Sequence, residues 1–117
     1  MEIREFRDLK TWKLGMSIVM DIYRLTGYFP KYELFGLTSQ IRRAEVSIPS
    51  NIAERFNRYY TKELIRYLYI SLGSCAELET QLEIAYGLAY LGNEAKLDLL
   101  ENINHETRML RTLIKKL

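Results

Sequence analysis

The sequence predicts an all-α fold, an antiparallel up-down-up-down four-helix bundle with long helices. Apolar residues recur at alternating spacings of three and four over most of the chain, as they do on the buried face of a bundle helix. Helix-breaking sequence falls at only three places, residues 27–30, 57–61 and 92–93. Three short breaks give four helices, and short connections force consecutive helices to lie antiparallel. We expect a single domain over residues 1–117.

The four helices are expected at about residues 8–26, 32–56, 61–92 and 93–116. Asp8, Thr61 and Asn93 are suitable N-caps because their side-chain oxygens can accept from the first free backbone N–H groups. Pro49 lies inside the second helix and removes one backbone hydrogen bond, so we expect a bend there, with Ser and Asn side chains supplying compensating bonds.

Each of the last three helices has one predicted core face. On the second helix it comprises Leu34, Leu37, Ile41, Ala44 and Ile48. On the third it comprises Leu68, Ser71, Cys75, Leu78, Leu82, Ala85 and Ala89. On the fourth it comprises Leu100, Ile103, Thr107, Leu110, Ile114 and Leu117.

The first helix carries two apolar stripes, where a small isolated bundle needs one. The third helix also carries apolar residues away from its core face. These observations predict self-association, with an interface formed by Leu14, Ile18, Ile22, Leu25, Ile70, Ile84 and Leu88. The alternative is a wide apolar face accommodated within one chain.

Composition limits the class of protein. Of the 117 residues, 48% are hydrophobic and 27% are charged, as in a compact globular chain. Cys75 is the only cysteine and lies among apolar positions, so we expect a buried thiol and a reducing compartment. No apolar stretch is long enough for a membrane span and no secretion signal is evident, which predicts a cytoplasmic protein with no membrane partner. The net charge of +2 does not by itself indicate nucleic-acid binding.

The residues required for catalysis or metal binding are missing from the sequence. A di-iron bundle needs Glu-x-x-His motifs, but the single histidine, His105, follows Asn102 at that spacing. One His and one Cys on different helices do not make a zinc site. The glycines are isolated, so there is no phosphate-binding loop. We expect no enzyme activity, metal, cofactor or small-molecule substrate.

A basic and aromatic group surrounds the second break. Cations interleaved with aromatic rings suit phosphates and unstacked bases, so these residues are the predicted nucleic-acid contact. The alternative is a solvated turn whose tyrosines pack on the end of the bundle. The group comprises Arg42, Arg43, Arg55, Arg58, Tyr59, Tyr60, Lys62 and Arg66.

Several segments together resemble the four helix bundle proteins known as 23S rRNA-intervening sequence proteins. They are FRDLKTW at 6–12, the Phe29-Pro30 turn with Glu33, GLTSQIRRA at 36–44, SIPSNIAE at 47–54 and GSCAEL at 73–78. The matching motif residues include Ser47, Pro49, Asn51, Glu54, Gly73, Ser74 and Glu77. A structural role at the bend and a polar contact surface are both open for the residues around Pro49.

The resemblance implies a left-handed antiparallel bundle that assembles as a ring-like homopentamer and has no enzymatic activity. One branch of the family, similar to the accessory variability determinant of diversity-generating retroelements, is associated with nucleic acid and a reverse transcriptase. That branch is strongly basic, whereas this chain has a net charge of +2. The chain also departs from the family at Arg55, where the motif usually continues into glycine.

Two functions follow as hypotheses. The first is an oligomeric binding module whose partner is RNA or an RNA-handling protein, such as a reverse-transcriptase-like or ribosomal protein. The second is a purely structural self-assembling protein with no nucleic-acid role.

Overall fold

The structure, a computed structural model, describes residues 4–55 and 60–117. The four helices are α1 (Lys10–Thr26), α2 (Leu37–Glu54), α3 (Thr61–Gly87) and α4 (Asn93–Lys115). One-turn 3-10 helices at Phe6–Asp8 and Lys31–Glu33 precede α1 and α2. The described ranges contain no strand, which confirms the all-α bundle, and none of their helices is long and apolar enough to cross a membrane.

Consecutive helices pack side by side, and α4 closes the bundle against α1. The bundle is elongated, with extents of 43 × 25 × 19 Å. Its upper end carries residues 27–36 and 88–92, which connect α1 to α2 and α3 to α4. Its lower end carries the end of α2 and the start of α3. Tyr90 holds the upper end together, since its hydroxyl donates to Glu33 Oε2 at 3.0 Å and its ring lies 5.5 Å from that of Phe29.

Several helix boundaries differ from the sequence prediction. Asp8 does not cap α1, which begins at Lys10. Its carboxylate instead caps the 3-10 turn Phe6–Asp8, because it accepts from the backbone N–H groups of Arg4 and Glu5. Residues 31–36 form a 3-10 turn and a loop, so α2 begins at Leu37. It ends at Glu54, and the predicted end at Phe56 lies outside the described residues. Thr61 and Asn93 are the first helical residues rather than the caps.

The end of α3 also differs, because the helix stops at Gly87 rather than Gly92. Ala89 adopts a left-handed conformation with φ of 62°. The backbone N–H of Ala89 donates to the carbonyl of Tyr86 and that of Tyr90 to the carbonyl of Ala85, which together form a Schellman motif. Glycine is the usual residue at this position because a Cβ strains it. Alanine gives no stop signal in the sequence.

The predicted core faces are largely correct. On α3, every predicted core residue except the exposed Ala89 is buried. Of the core residues predicted for the second helix, only Leu34 is exposed, and it precedes α2. The α4 face is rotated by about one residue: Leu99 and Glu106 are buried beside Ile103 and Leu110, whereas Leu117 is exposed. The connected core draws on all four helices.

The assignment of Ile18 and Ile22 to a subunit interface is wrong. Their side chains are 1% and 0% exposed in the single chain, where they pack in its own core. Leu14 and Leu25 are half-buried against the same core. The other apolar stripe of α1 comprises Leu9, Trp12, Met16, Val19 and Tyr23. Of these, Val19 is buried, Tyr23 is exposed and the remaining three are half-buried. Ile70, Ile84 and Leu88 are exposed, and their interface role stays a prediction.

We expect Ala89→Gly to stabilise the bundle by about 1 kcal/mol, because glycine occupies the left-handed region without strain. Urea unfolding monitored by circular dichroism measures the change. Ala76→Gly is the matched control, since Ala76 is exposed within α3 and glycine there should cost about 1 kcal/mol. Destabilisation by both substitutions would contradict the prediction.

Candidate functional site

The polar motif around Pro49 joins α2 to α3. Asn51 Nδ2 donates to the Ser47 carbonyl at 2.8 Å and to Ser47 Oγ at 3.0 Å. From α3, Ser74 Oγ donates to Ser47 Oγ at 2.9 Å and Ser71 Oγ donates to the Ile48 carbonyl at 2.9 Å. Ser47 and Asn51 thus form side-chain hydrogen bonds, as expected, but the backbone acceptors in this motif are the carbonyls of Ser47 and Ile48. The carbonyl that Pro49 leaves free is that of Glu45, four residues earlier, so the compensating role stays a prediction. α2 continues as one helix through Pro49, and the bend stays a prediction.

The other motif residues lie nearer the surface. Glu77 is exposed and accepts from Gln81 Nε2 at 3.2 Å. It lines a polar cleft of about 550 Å³ between α2 and α3, together with Arg43, Ser47 and Ser74. Gly73 faces open space, because a Cβ there would meet nothing within 4 Å. The fold of the single chain does not require glycine at this position. Glu54 is half-buried at the end of α2.

The structure does not gather all the predicted nucleic-acid residues. Arg42 is engaged at the upper end: its Nε donates to Thr26 Oγ1 at 2.9 Å, and its guanidinium lies 4.5 Å from the centre of the Tyr23 ring. It fastens the start of α2 to the end of α1. Arg43, the next residue of α2, is exposed. Both are several turns away from the lower end, as the helix spacing predicts.

At the lower end, Tyr60, Lys62 and Arg66 are exposed on the first turns of α3. Lys62 and Arg66 are one helical turn apart and share a face. Arg55 is half-buried, and burial lowers the pKa of its guanidinium. Arg58 and Tyr59 lie outside the described residues. Of the predicted residues that the structure describes, the lower end therefore exposes two cations, Lys62 and Arg66, and one aromatic ring, that of Tyr60.

The structure has an exposed apolar surface along α1 and α2. The interface predicted from the sequence did not include it. A groove of about 570 Å³ near the upper end is lined by Tyr23, Leu34, Phe35 and Val46 together with Arg42 and Arg43. Val46 also lines a second groove with Trp12, Met16 and Pro49. Phe35 is 94% exposed. The second apolar stripe of α1, which includes Trp12, Met16 and Tyr23, contained the signal for this surface.

Two glutamates are buried in the core, and sequence reasoning missed them. Glu45 on α2 and Glu106 on α4 are each 0% exposed, and none of their carboxylate oxygens has a hydrogen-bond partner among the described residues. Burial raises the pKa of Glu45 to about 9, with a further contribution from the charge of Glu106, and burial raises the pKa of Glu106 to about 8. Their spacing could have revealed them, since Glu45 adjoins Ala44 and Glu106 lies between Ile103 and Leu110.

Cys75 lies near this pair as a buried free thiol. Burial raises its pKa to about 12, so it is a poor nucleophile. Over the ranges that the structure describes, no three His, Cys, Asp or Glu side chains are arranged to hold a metal ion. His105 is exposed.

These features define a four-helix bundle with an apolar side surface, a polar α2–α3 cleft and a basic lower end. The chain belongs to the 23S rRNA-intervening sequence protein family, whose model matches residues 7–112. Among solved structures, it is similar to a protein of unknown function from the S23 ribosomal protein family of Bacteroides thetaiotaomicron VPI-5482. The two share 23% sequence identity with a TM-score of 0.83, over 90% of this chain and 98% of that one. No curated protein matches the chain.

We expect Ser71→Ala to destabilise the bundle by about 1 kcal/mol, because a buried hydrogen bond between α3 and the Ile48 carbonyl is lost. Thermal and urea unfolding measure the change. Ser50→Ala is the control, because Ser50 is exposed on α2 and alanine favours the helix there. Equal stability of Ser71→Ala and the wild type would show that the bond contributes nothing.

Proposed function

We propose that this protein is a non-enzymatic, self-assembling bundle of the cytoplasm, a homopentamer whose lower end binds RNA. The proposal of self-assembly rests on one observation. The bundle has two surfaces with exposed apolar side chains, and they lie on neighbouring sides. We name them surface A and surface B. Surface A is formed by the exposed side chains of Met20, Tyr23, Phe35 and Val46 together with the half-buried Trp12 and Met16. Surface B is formed by Ile70, Gly73, Glu77, Ile84 and Leu88.

Surface B has the features of a helix face that another helix covers. Ile70 and Ile84 lie seven residues before and after Glu77, so all three share one side of α3. Gly73 lies beside them with open space above it. Glycine within a helix costs about 1 kcal/mol relative to alanine. A close-packed helix from a second copy would account for a glycine that the single chain does not need.

The positions of the two surfaces favour a ring. Surface A follows the α1–α2 side of the bundle, and surface B lies on the edge of α3 that faces α2, since Glu77 lines the cleft between these helices. In a square bundle, adjacent sides are about a quarter turn apart. Joining A of one copy to B of the next gives a head-to-tail contact that closes after about four or five copies. This agrees with the pentamer that the family resemblance implies.

RNA binding is the second part of the proposal. Tyr60, Lys62 and Arg66 are exposed together, and neither cation forms an ion pair with another described residue. A ring would repeat this group in every copy, so modest contacts would add up despite a net charge of +2. The family name, which refers to 23S rRNA, supports RNA as the ligand. A scaffold with no nucleic-acid role is the competing function.

We expect light scattering to give a mass several times 13.9 kDa for the wild type. Val46→Asp on surface A and Ile84→Lys on surface B should each abolish the ring, because each places a charge in an apolar contact. Mixed in equal amounts, the two variants should form a heterodimer, since Val46→Asp keeps surface B and Ile84→Lys keeps surface A.

Leu97→Glu is the control, because Leu97 is exposed on α4 away from both surfaces. It should leave the mass of the assembly unchanged. A monomeric wild type at micromolar concentration, or a mixture that stays monomeric, would contradict the head-to-tail ring.

We expect Lys62→Ala with Arg66→Ala to weaken RNA binding by a similar factor for all RNA sequences. The slope of log affinity against log salt should fall by about two for each copy in contact with the RNA, since each copy loses two phosphate contacts. Gel-shift titrations at several salt concentrations measure both quantities, and light scattering verifies that the assembly is intact.

Arg24→Ala with Lys31→Ala removes the same charge at the upper end and should leave binding nearly unchanged. If the wild type binds no RNA at low salt, the RNA proposal is wrong and the scaffold function replaces it. That outcome leaves the ring unaffected.

A further inference from the structure

Glu45 and Glu106 are the least expected side chains in the core. A buried carboxyl group is normally paired or hydrogen-bonded, because an isolated charge in an apolar interior is strongly unfavourable. Both are fully buried on helices that face each other diagonally across the bundle, and their oxygens have no partner among the described residues. We propose that these two groups hold protons inside the folded bundle, and that loss of those protons frees α4 from the other three helices.

All four helices contribute to the surroundings of the pair. On α1, Gly15 leaves room for it, since a Cβ there would lie 3.2 Å from Glu106 Oε2 and 3.4 Å from Pro49 Cβ. On α3, the Cys75 thiol is within the electrostatic reach of Glu45, Glu106 and Glu79. The titratable groups facing the pair from the packed helices are therefore acidic. α1 contributes Gly15, which carries no charge.

The proton balance follows from the pKa directions. Burial raises the pKa of both carboxyl groups, whereas in the unfolded chain they titrate near the ordinary value of 4.5. Between that value and about 8 to 9, the folded state holds protons that the unfolded chain has released. Stability is therefore greatest at low pH in this window and falls as pH rises. Each retained proton lowers the folding constant by about tenfold per pH unit.

α4 is the helix expected to separate first. α2 and α3 form the most extensive helix pair and share the Ser71 and Ser74 hydrogen bonds. α4 packs less extensively on α3 and least on α1. When Glu106 ionises, its carboxylate gains water only if α4 moves outward. Glu45 on α2 is held by the stronger contact and stays in place.

The titration can be observed directly in the wild type. Carbon-13 NMR of the glutamate side-chain carboxyl groups should show two carboxyl groups that stay protonated through pH 6. Glu45→Gln and Glu106→Gln should each remove one of them. Two ordinary titrations at these positions would overturn the proposal without any variant having to fold.

The coupling to α4 is tested by unfolding and hydrogen exchange between pH 5 and pH 9. Glu106→Gln should reduce the alkaline loss of stability by about tenfold per pH unit in the folding constant. It should also remove the excess exchange that the wild type shows in α4. Glu101→Gln is the control, because Glu101 is exposed on the same helix. Wild-type exchange that rises equally in α2, α3 and α4 would show that no separate release of α4 occurs.

Discussion

The contact between α2 and α3 is the constraint on which the rest of the bundle depends. It places Ile48, Leu68 and Leu78 in the core and adds hydrogen bonds from Ser71 and Ser74 to the α2 segment around Pro49. Pro49 has no N–H, so a helix interior accepts it only at a cost of about 3 kcal/mol. Pro49 is buried, and its ring lies beside Gly15 of α1, so apolar burial offsets part of that cost. α1 and α4 then complete the core around this pair.

Different parts of the molecule have separate tasks. The core faces hold each chain together, whereas Val46 and Ile84 lie on sides that the chain does not cover itself. An isolated chain gains nothing from exposed apolar side chains, and contiguous ones mark an interaction surface. Lys62 and Arg66 lie at the lower end, where assembly would bring their copies together without burying them. Arg42, by contrast, is a structural residue, since Thr26 and Tyr23 occupy its guanidinium.

The buried carboxyl pair reduces stability where apolar residues would increase it. Replacing buried charged groups with apolar ones of similar size is often neutral or stabilising. Glu45 and Glu106 avoid the full cost by staying protonated, because burial raises the pKa of each. A core with this composition makes the stability of the bundle depend on pH. The bundle therefore contains an internal element whose state depends on protons rather than on a ligand.

The sequence by itself determined the helix number, the antiparallel order and most core residues, because these follow from the spacing of apolar residues such as Leu68, Cys75 and Leu82 along one helix. It also predicted that Ser47 and Asn51 form side-chain hydrogen bonds, but not the carbonyls that accept them. It misassigned Ile18 and Ile22, because two stripes on one helix are equivalent until the neighbouring helices fix which one faces inward. It missed Glu45, Glu106 and the left-handed Ala89 for a related reason. Burial of a carboxyl group and strain at an alanine depend on what packs around them, and only the tertiary structure decided that.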